Sequence, residues 1–188
     1  LGRFSLRFDA ALIPELAGRY TYPAEDRMTD EIGPAAKARG YFSRDEFLAL
    51  CYWKTPRTQS RVRKNPSALI EEATGVALAS PFEALRIGAL TRLHGVGKPT
   101  ASVLLHFGHR ERYPILDFRA LWSLGVDVEP NYYSLSYWLE YVEACRMLAK
   151  TNGVSMRVLD RALWQYSKEN QPPRKSGRQP CQRGAAVL

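Results

Sequence analysis

An all-α fold is predicted by three features of the sequence. Apolar residues recur at three- and four-residue spacing through most of the chain, helix-start and helix-stop signals punctuate that pattern, and strand-like alternation is essentially absent. Ser43, Arg44, Asp45 and Glu46 form a capping box, in which a hydroxyl and a carboxylate each satisfy an orphan backbone N–H. Phe47, Leu48, Leu50, Cys51 and Trp53 follow as an apolar face. Pro56 stops that helix. Asn65-Pro66 opens another that carries Leu69, Ile70, Ala73 and Val76. Ser80, Pro81, Phe82 and Glu83 combine an N-cap, a proline at the first position and an acid at the third, after which Phe82, Leu85, Leu90 and Leu93 share one stripe. Leu135, Trp138, Leu139, Val142, Cys145 and Leu148 make a long amphipathic face closed by Asn152-Gly153. Ser155 then starts a last helix with Leu159, Ala162, Leu163 and Tyr166.

With 188 residues the chain is long enough for one core without disulfide or metal staples, because at this length roughly 70% of the unfolded surface can be buried. Residues 1–170 read as a single domain and 171–188 as a disordered basic tail, with Arg174, Lys175, Arg178 and Arg183 and no acid. Twenty-seven Lys and Arg against 19 Asp and Glu give a net charge of +8, which points to an anionic partner, nucleic acid first. A second basic run, Lys54 to Lys64, holds five positive charges and no acid. Three scattered cysteines exclude a disulfide framework and a four-thiolate metal site, which suits a reducing, cytoplasmic setting. No apolar run approaches the roughly 18 residues of a membrane span. A monomer without membrane attachment is expected.

The most informative stretch is Leu93 to Leu124, LHGVGKPTASVLLHFGHRERYPILDFRALWSL. Two helices are joined by His94-Gly95-Val96-Gly97, too short for anything but a tight turn. Gly95 and Gly97 can take positive φ, Val96 can plug the gap between the helices, and Pro99 fits the first turn of the second. Small Thr100 and Ala101 allow close packing on Leu90 and Leu93. Such a turn aims backbone N–H groups and the positive end of a helix dipole outward, which suits a phosphate and ignores base identity.

These residues resemble the helix-hairpin-helix motif, L-x-G-V-G-x-x-T-A, and more narrowly its form in the endonuclease III superfamily of DNA glycosylases. There an apolar residue and an aspartate at a helix start follow the hairpin at a fixed interval. Here Leu116-Asp117 stands at that place, with 15 residues between Ala101 and Asp117. The resemblance covers roughly residues 43 to 168. It implies a helical bundle or barrel, abbreviated because only 36 steps separate Arg57 from Leu93, with double-stranded DNA as partner and a damaged or modified base as target. Gly95, Val96, Gly97, Lys98 and Thr100 would grip a phosphate, and Asp117 would be the catalytic carboxylate. Trp53, Lys54, Arg57 and Arg119 would touch the strand or the vacated base site.

Loss of a base builds positive charge on the sugar, and a carboxylate at 4 Å in an effective dielectric near 20 attracts it by about 4 kcal/mol, roughly a thousandfold in rate. Asp117 is also a good N-cap for a helix from Phe118 to Leu124 ended by Gly125. Where bifunctional members carry the lysine that attacks the sugar, this chain has Pro99, with Lys98 one residue earlier and turned by about 100° on a helix. A monofunctional hydrolase is what the resemblance implies. The family's four-cysteine cluster is missing, so no iron-sulfur cofactor is expected. His94, His106 and His109 lack a carboxylate partner at metal spacing, so no metal is expected either. Arg119 can pair with Asp117 or reach a phosphate. A non-catalytic DNA-binding module, or a structural remnant, would carry the same turn without using the aspartate.

Overall fold

The computed structural model describes residues 2–22, 25–109, 112–127 and 132–173, and the statements below concern these residues. Most of the expected basic tail, residues 174–188, lies outside them. Their regular structure is helical. A 3-10 turn, Ala10–Leu12, leads into α1 (Ile13–Gly18), and a π-helical turn, Arg27–Ile32, runs into α2 (Gly33–Arg39). Next come α3 (Arg44–Lys54), a 3-10 turn at Pro56–Thr58, α4 (Gln59–Val62), α5 (Ser67–Ala79) and α6 (Glu83–Thr91). The chain closes with α7 (Lys98–Gly108), α8 (Phe118–Ser123), α9 (Leu135–Thr151) and α10 (Met156–Asn170).

The hub is α7. Eight of its 11 residues are buried, on every side of the helix. Ala101, Ser102 and Gly108 keep its surface low enough for neighbours to approach, and a Cβ on Gly108 would run into the Phe42 ring. Helices α2, α3, α5 and α6 pack around α7. Burial of Val103, Leu104, Leu105 and Phe107 contributes about 1.5–3 kcal/mol each. A second layer forms where α10 packs on α1, α8 and α9. The N-terminal segment closes it: Ser5 and Arg7 donate their N–H groups to Leu124 and Ser123 carbonyls at 3.0 and 2.9 Å, and the Phe4 ring meets Tyr137 and Tyr141 edge-on.

Several helix faces differ from those expected. Helix α6 begins at Glu83 and not at Pro81; Ser80 ends α5, its hydroxyl accepts from the Phe82 N–H at 3.1 Å, and Phe82 and Leu85 stand exposed. The inner face of α6 is Arg86, Ile87 and Leu90, because the Arg86 guanidinium finds the Ser80 carbonyl at 2.6 Å, the Glu83 carboxylate at 3.2 Å and the Tyr113 hydroxyl. In α5, Leu69 and Val76 are exposed and Ile70, Ala73, Thr74 and Ala77 are inside. Thr74 is tolerated there because its hydroxyl donates to the Ile70 carbonyl at 2.7 Å and accepts from the Phe42 N–H at 3.0 Å. Helix α9 keeps Trp138, Val142 and Cys145 inside, with Leu148 packed against the core, but leaves Leu135 and Leu139 exposed and buries Tyr137, Tyr141 and Ala149. Its face is turned toward the N-terminal segment, a cover that local periodicity does not show. The capping box on Ser43 and the caps on Asp117 and Ser155 form as expected.

Candidate functional site

The turn between α6 and α7 is held by a residue that periodicity left unremarked. Asn65, 1% exposed, accepts the His94 N–H at 2.8 Å and donates to the His94 and Val62 carbonyls at 3.0 and 2.8 Å. Gly95 has φ +79°, and a Cβ there would lie 2.9 Å from both Arg61 Cβ and Val62 Cγ1, so glycine is demanded by conformation and by the approach of α4. Gly97 is different. Its φ is −95°, ordinary for any residue, so the expectation of positive φ is corrected there. Val96 is buried, and the backbone N–H groups of Gly95, Gly97 and Lys98 find no partner among the described residues. Thr100 is buried in the first turn of α7, with its N–H on the Gly97 carbonyl at 3.0 Å.

A relay of hydrogen bonds ties this turn to Asp117. Ser102 of α7 donates to the Pro99 carbonyl and accepts the Leu116 N–H, both at 2.8 Å. From the other side, Asp160 of α10 accepts the Ile115 N–H at 3.0 Å, and the Tyr141 hydroxyl of α9 donates to the Ile115 carbonyl at 2.8 Å. The extended segment before α8 is therefore pinned by three helices. Its last residue, Asp117, caps α8 by accepting the Arg119 N–H on Oδ1 at 2.9 Å.

The other oxygen of Asp117 is occupied by a residue assigned to the strand. Lys54 Nζ, at the end of α3, lies 2.7 Å from Oδ2, with the two side chains only 11% and 22% exposed. Lys54 thus points to the carboxylate and forms an ion pair with it while also lining the groove beside the turn. Burial alone would push the Asp117 carboxyl up. The Lys54 charge and hydrogen bond, with the Arg119 N–H and guanidinium, outweigh it and hold the group below the usual range. The Arg119 side chain makes no ion pair with Asp117; it lies over the Phe118 and Trp164 rings at 5.1 and 5.3 Å.

Two concave surfaces meet at Asp117. One is a groove lined by Lys54, Arg57, Arg61, Gly95, Gly97 and Asp117, with about 830 Å³ of room for the centre of a water molecule. The other is an aromatic pocket lined by Tyr20, Tyr22, Trp53, Trp164, Asp117 and Asp160, in which the same measure is only about 40 Å³. That is space for a few waters. A larger guest enters only when a wall side chain moves. Trp53 is half-buried, its ring edge-on to Tyr22 and Phe107, so it is a wall of the pocket and not a protruding probe.

No protein-family model, curated protein or solved structure matches this chain. The resemblance described above therefore rests on its own residues and spacing.

Beneath the pocket Arg157 binds Glu25, Asp160 and the Tyr20 hydroxyl, and Arg161 joins Glu25 at 2.6 Å. Burial pushes the Asp160 carboxyl up to about 6 despite Arg157. Tyr20, Tyr22, Trp164 and Asp160 carried no signal in the sequence beyond residue type, because they come from the chain's two ends and meet only in the fold. Of the remaining expected residues, Arg57 is exposed on the groove, and Lys98 lies against Tyr132, its Nζ 4.9 Å from the ring centre. His106 is half-buried with Nδ1 2.6 Å from the Tyr113 carbonyl, and withdrawal from water pushes its pKa down to about 3. Among the described residues no cluster of His, Cys, Asp and Glu could hold a metal, and no helix is long and apolar enough to cross a membrane.

Proposed function

We propose that the chain is a DNA N-glycosylase that hydrolyses the bond between a modified base and its sugar, with Asp117 as the catalytic carboxylate. The observation that carries this reading is that the Asp117 carboxylate and the Gly95–Gly97 turn line one groove while Asp117 also walls an aromatic pocket. A phosphate on the free N–H groups of Gly97 and Lys98 holds the strand beside the acid. The rings of Tyr22, Trp53 and Trp164 offer faces and edges to an extruded base. Asp117, kept ionised by Lys54, stabilises positive charge on the sugar or orients the water that attacks it.

The test is base release from duplex DNA carrying alkylated, oxidised and deaminated bases. Release is expected for at least one class, and Asp117→Asn abolishes it without weakening DNA binding. A panel left uncut refutes the enzymatic reading. Gly97→Ala is the companion variant: the nearest atom to an added Cβ is Pro99 Cδ at 3.7 Å, so the fold tolerates it, while the methyl crowds a phosphate on the turn.

A second reading is favoured by the Lys54–Asp117 contact. Pro99 stands where the attacking lysine of bifunctional members would be, yet another amine, that of Lys54, lies at the acid. Lys54 passes a proton to Asp117 Oδ2, its amine attacks C1′, and the base leaves with the glycosidic electron pair and picks up a proton. The substituted amine loses a proton, its lone pair expels O4′ from C1′, and O4′ takes up a proton as the sugar ring opens. The resulting protonated imine is reducible by borohydride. Trapping on DNA with an abasic site separates the readings: a covalent adduct at Lys54, lost in Lys54→Met, selects this route, and base release without an adduct selects the hydrolase.

A further inference from the structure

The aromatic pocket holds a second carboxyl that the proposed chemistry has not used. Asp160 of α10 lines it together with Asp117, its side chain 8% exposed. Its Oδ1 accepts the Ile115 N–H at 3.0 Å, so it is anchored to the same extended segment that ends in Asp117. The two acids are held in opposite states. Against burial, Lys54 keeps Asp117 ionised, whereas burial, aided by the Asp117 charge, pushes Asp160 up to about 6. Arg157 and Lys54 oppose that rise, but Arg157 is shared with Glu25 and the Tyr20 hydroxyl, and Lys54 with Asp117. From α9, Tyr141 and Cys145 face Asp160 with their protons retained by burial. Two carboxyls in one site, driven apart in their hold on a proton, are equipped to serve as a charge and an acid.

Two rings of the pocket carry cations on the side away from it. Arg157 and Arg161 lie over Tyr20 at 5.2 and 5.6 Å, and Arg119 and Lys168 over Trp164 at 5.3 and 5.2 Å; none of these four cations lines the pocket. The electron-rich faces are thus engaged from outside, and Lys54 adds a positive charge within. A cationic guest meets like charge behind those walls. A neutral base fits better, yet it departs as an anion unless a proton reaches it. Burial makes the Tyr20 and Tyr22 phenols hold their protons more tightly than free phenols, and Lys54 is committed to Asp117. Asp160 is the remaining acid.

Resting on the hydrolase proposed above, we propose that the pocket takes a neutral modified base and that Asp160 supplies the proton with which this base leaves. As the bond from C1′ to the base breaks, its electron pair goes to the base and the Asp160 proton follows, so the base departs neutral. Water attacks C1′ beside Asp117 and releases its proton to solvent, from which Asp160 is protonated again.

The experiment measures single-turnover base release by the full chain between about pH 5 and 8. The duplexes carry uracil, hypoxanthine, an oxidised guanine or N7-methylguanine, the last already positively charged. Release of at least one neutral base is expected, falling as pH rises through about 6, because the donor must hold its proton. Asp160→Asn slows that release about a hundredfold to ten-thousandfold, the range for general acid catalysis, and removes the dependence on pH near 6. Asparagine has the shape of the protonated carboxyl and keeps an acceptor for the Ile115 N–H, and urea unfolding verifies the fold. Any release of N7-methylguanine, which needs no proton, is slowed at least about tenfold less. The wild-type pH limb and base preference test the proposal without the variant. An equal loss on charged and neutral bases, or an unchanged pH profile, overturns the assignment of Asp160, and release confined to N7-methylguanine overturns the neutral substrate. Each of these leaves Asp117 as the catalytic carboxylate. Absence of release from the whole panel overturns both readings.

Discussion

Removing the Lys54 charge tests the centre of the site through stability alone, with no substrate. At 2.7 Å and an effective dielectric near 20 the pair attracts by about 6 kcal/mol before desolvation is counted. Both side chains are mostly withdrawn from water, so the net coupling falls between the roughly 1 kcal/mol of an exposed pair and the 3–5 kcal/mol lost when one member of a buried pair is deleted. Lys54→Met is expected to destabilise by about 2 kcal/mol at pH 7, a fall in Tm of about 4–8 °C for a chain of this size. Asp117→Asn keeps an acceptor for the Arg119 N–H and so isolates the charge. In a double-mutant cycle the two changes together cost about 2 kcal/mol less than their sum.

The pH dependence follows. The folded Asp117 carboxyl is held low, so its contribution is present above the unfolded carboxylate range and is lost as pH falls through the depressed folded value. With Lys54→Met, burial is opposed only by the Arg119 N–H and guanidinium and the group moves up from its wild-type position, so the variant recovers relative to wild type on acidification. Urea unfolding between about pH 2 and 8 reads this directly. Additive effects within about 0.5 kcal/mol, or a variant with the wild-type pH slope, would refute the ion pair as the group that sets Asp117.

Asn65→Ala removes three hydrogen bonds at the hairpin and is expected to destabilise by about 2–3 kcal/mol in urea unfolding, while Asn65→Asp, which keeps the acceptor for His94, recovers part of it. Gly95→Ala meets both positive φ and contact with α4, so it should cost at least about 2 kcal/mol; Gly97→Ala should stay within about 0.5 kcal/mol by the same measurement. The Asp160 carboxyl is raised to about 6 by burial, so its contribution is complete below the unfolded value and lost as pH rises through 6, by at most about 3 kcal/mol; in Asp160→Asn that part of the stability–pH curve flattens. Binding to DNA should weaken with salt, the logarithm of affinity falling at about −0.9 per phosphate neutralised against the logarithm of salt. In the non-catalytic alternative the same slope appears with no base released.

The sequence determined what is local. Helix class, the capping box at Ser43, the caps at Asp117 and Ser155, and the glycine turn at 95–97 each depend on residues within one or two turns of one another. The spacing from the turn to Asp117 was legible for the same reason, since the single helix α7 takes up most of the interval. Which flank of a helix is inside was not legible. Thr74 and Arg86 are buried and Leu69, Phe82 and Leu85 are not, because partners distant in the chain satisfy the polar groups and leave those apolar ones uncovered. The surroundings of Asp117 belong to the tertiary structure entirely. Lys54 arrives from 63 residues away, and the Tyr20, Tyr22, Trp164 and Asp160 walls come from the two ends of the chain. A carboxylate's charge state and its access to solvent are sums over neighbours in space, and periodicity along a chain holds no term for them.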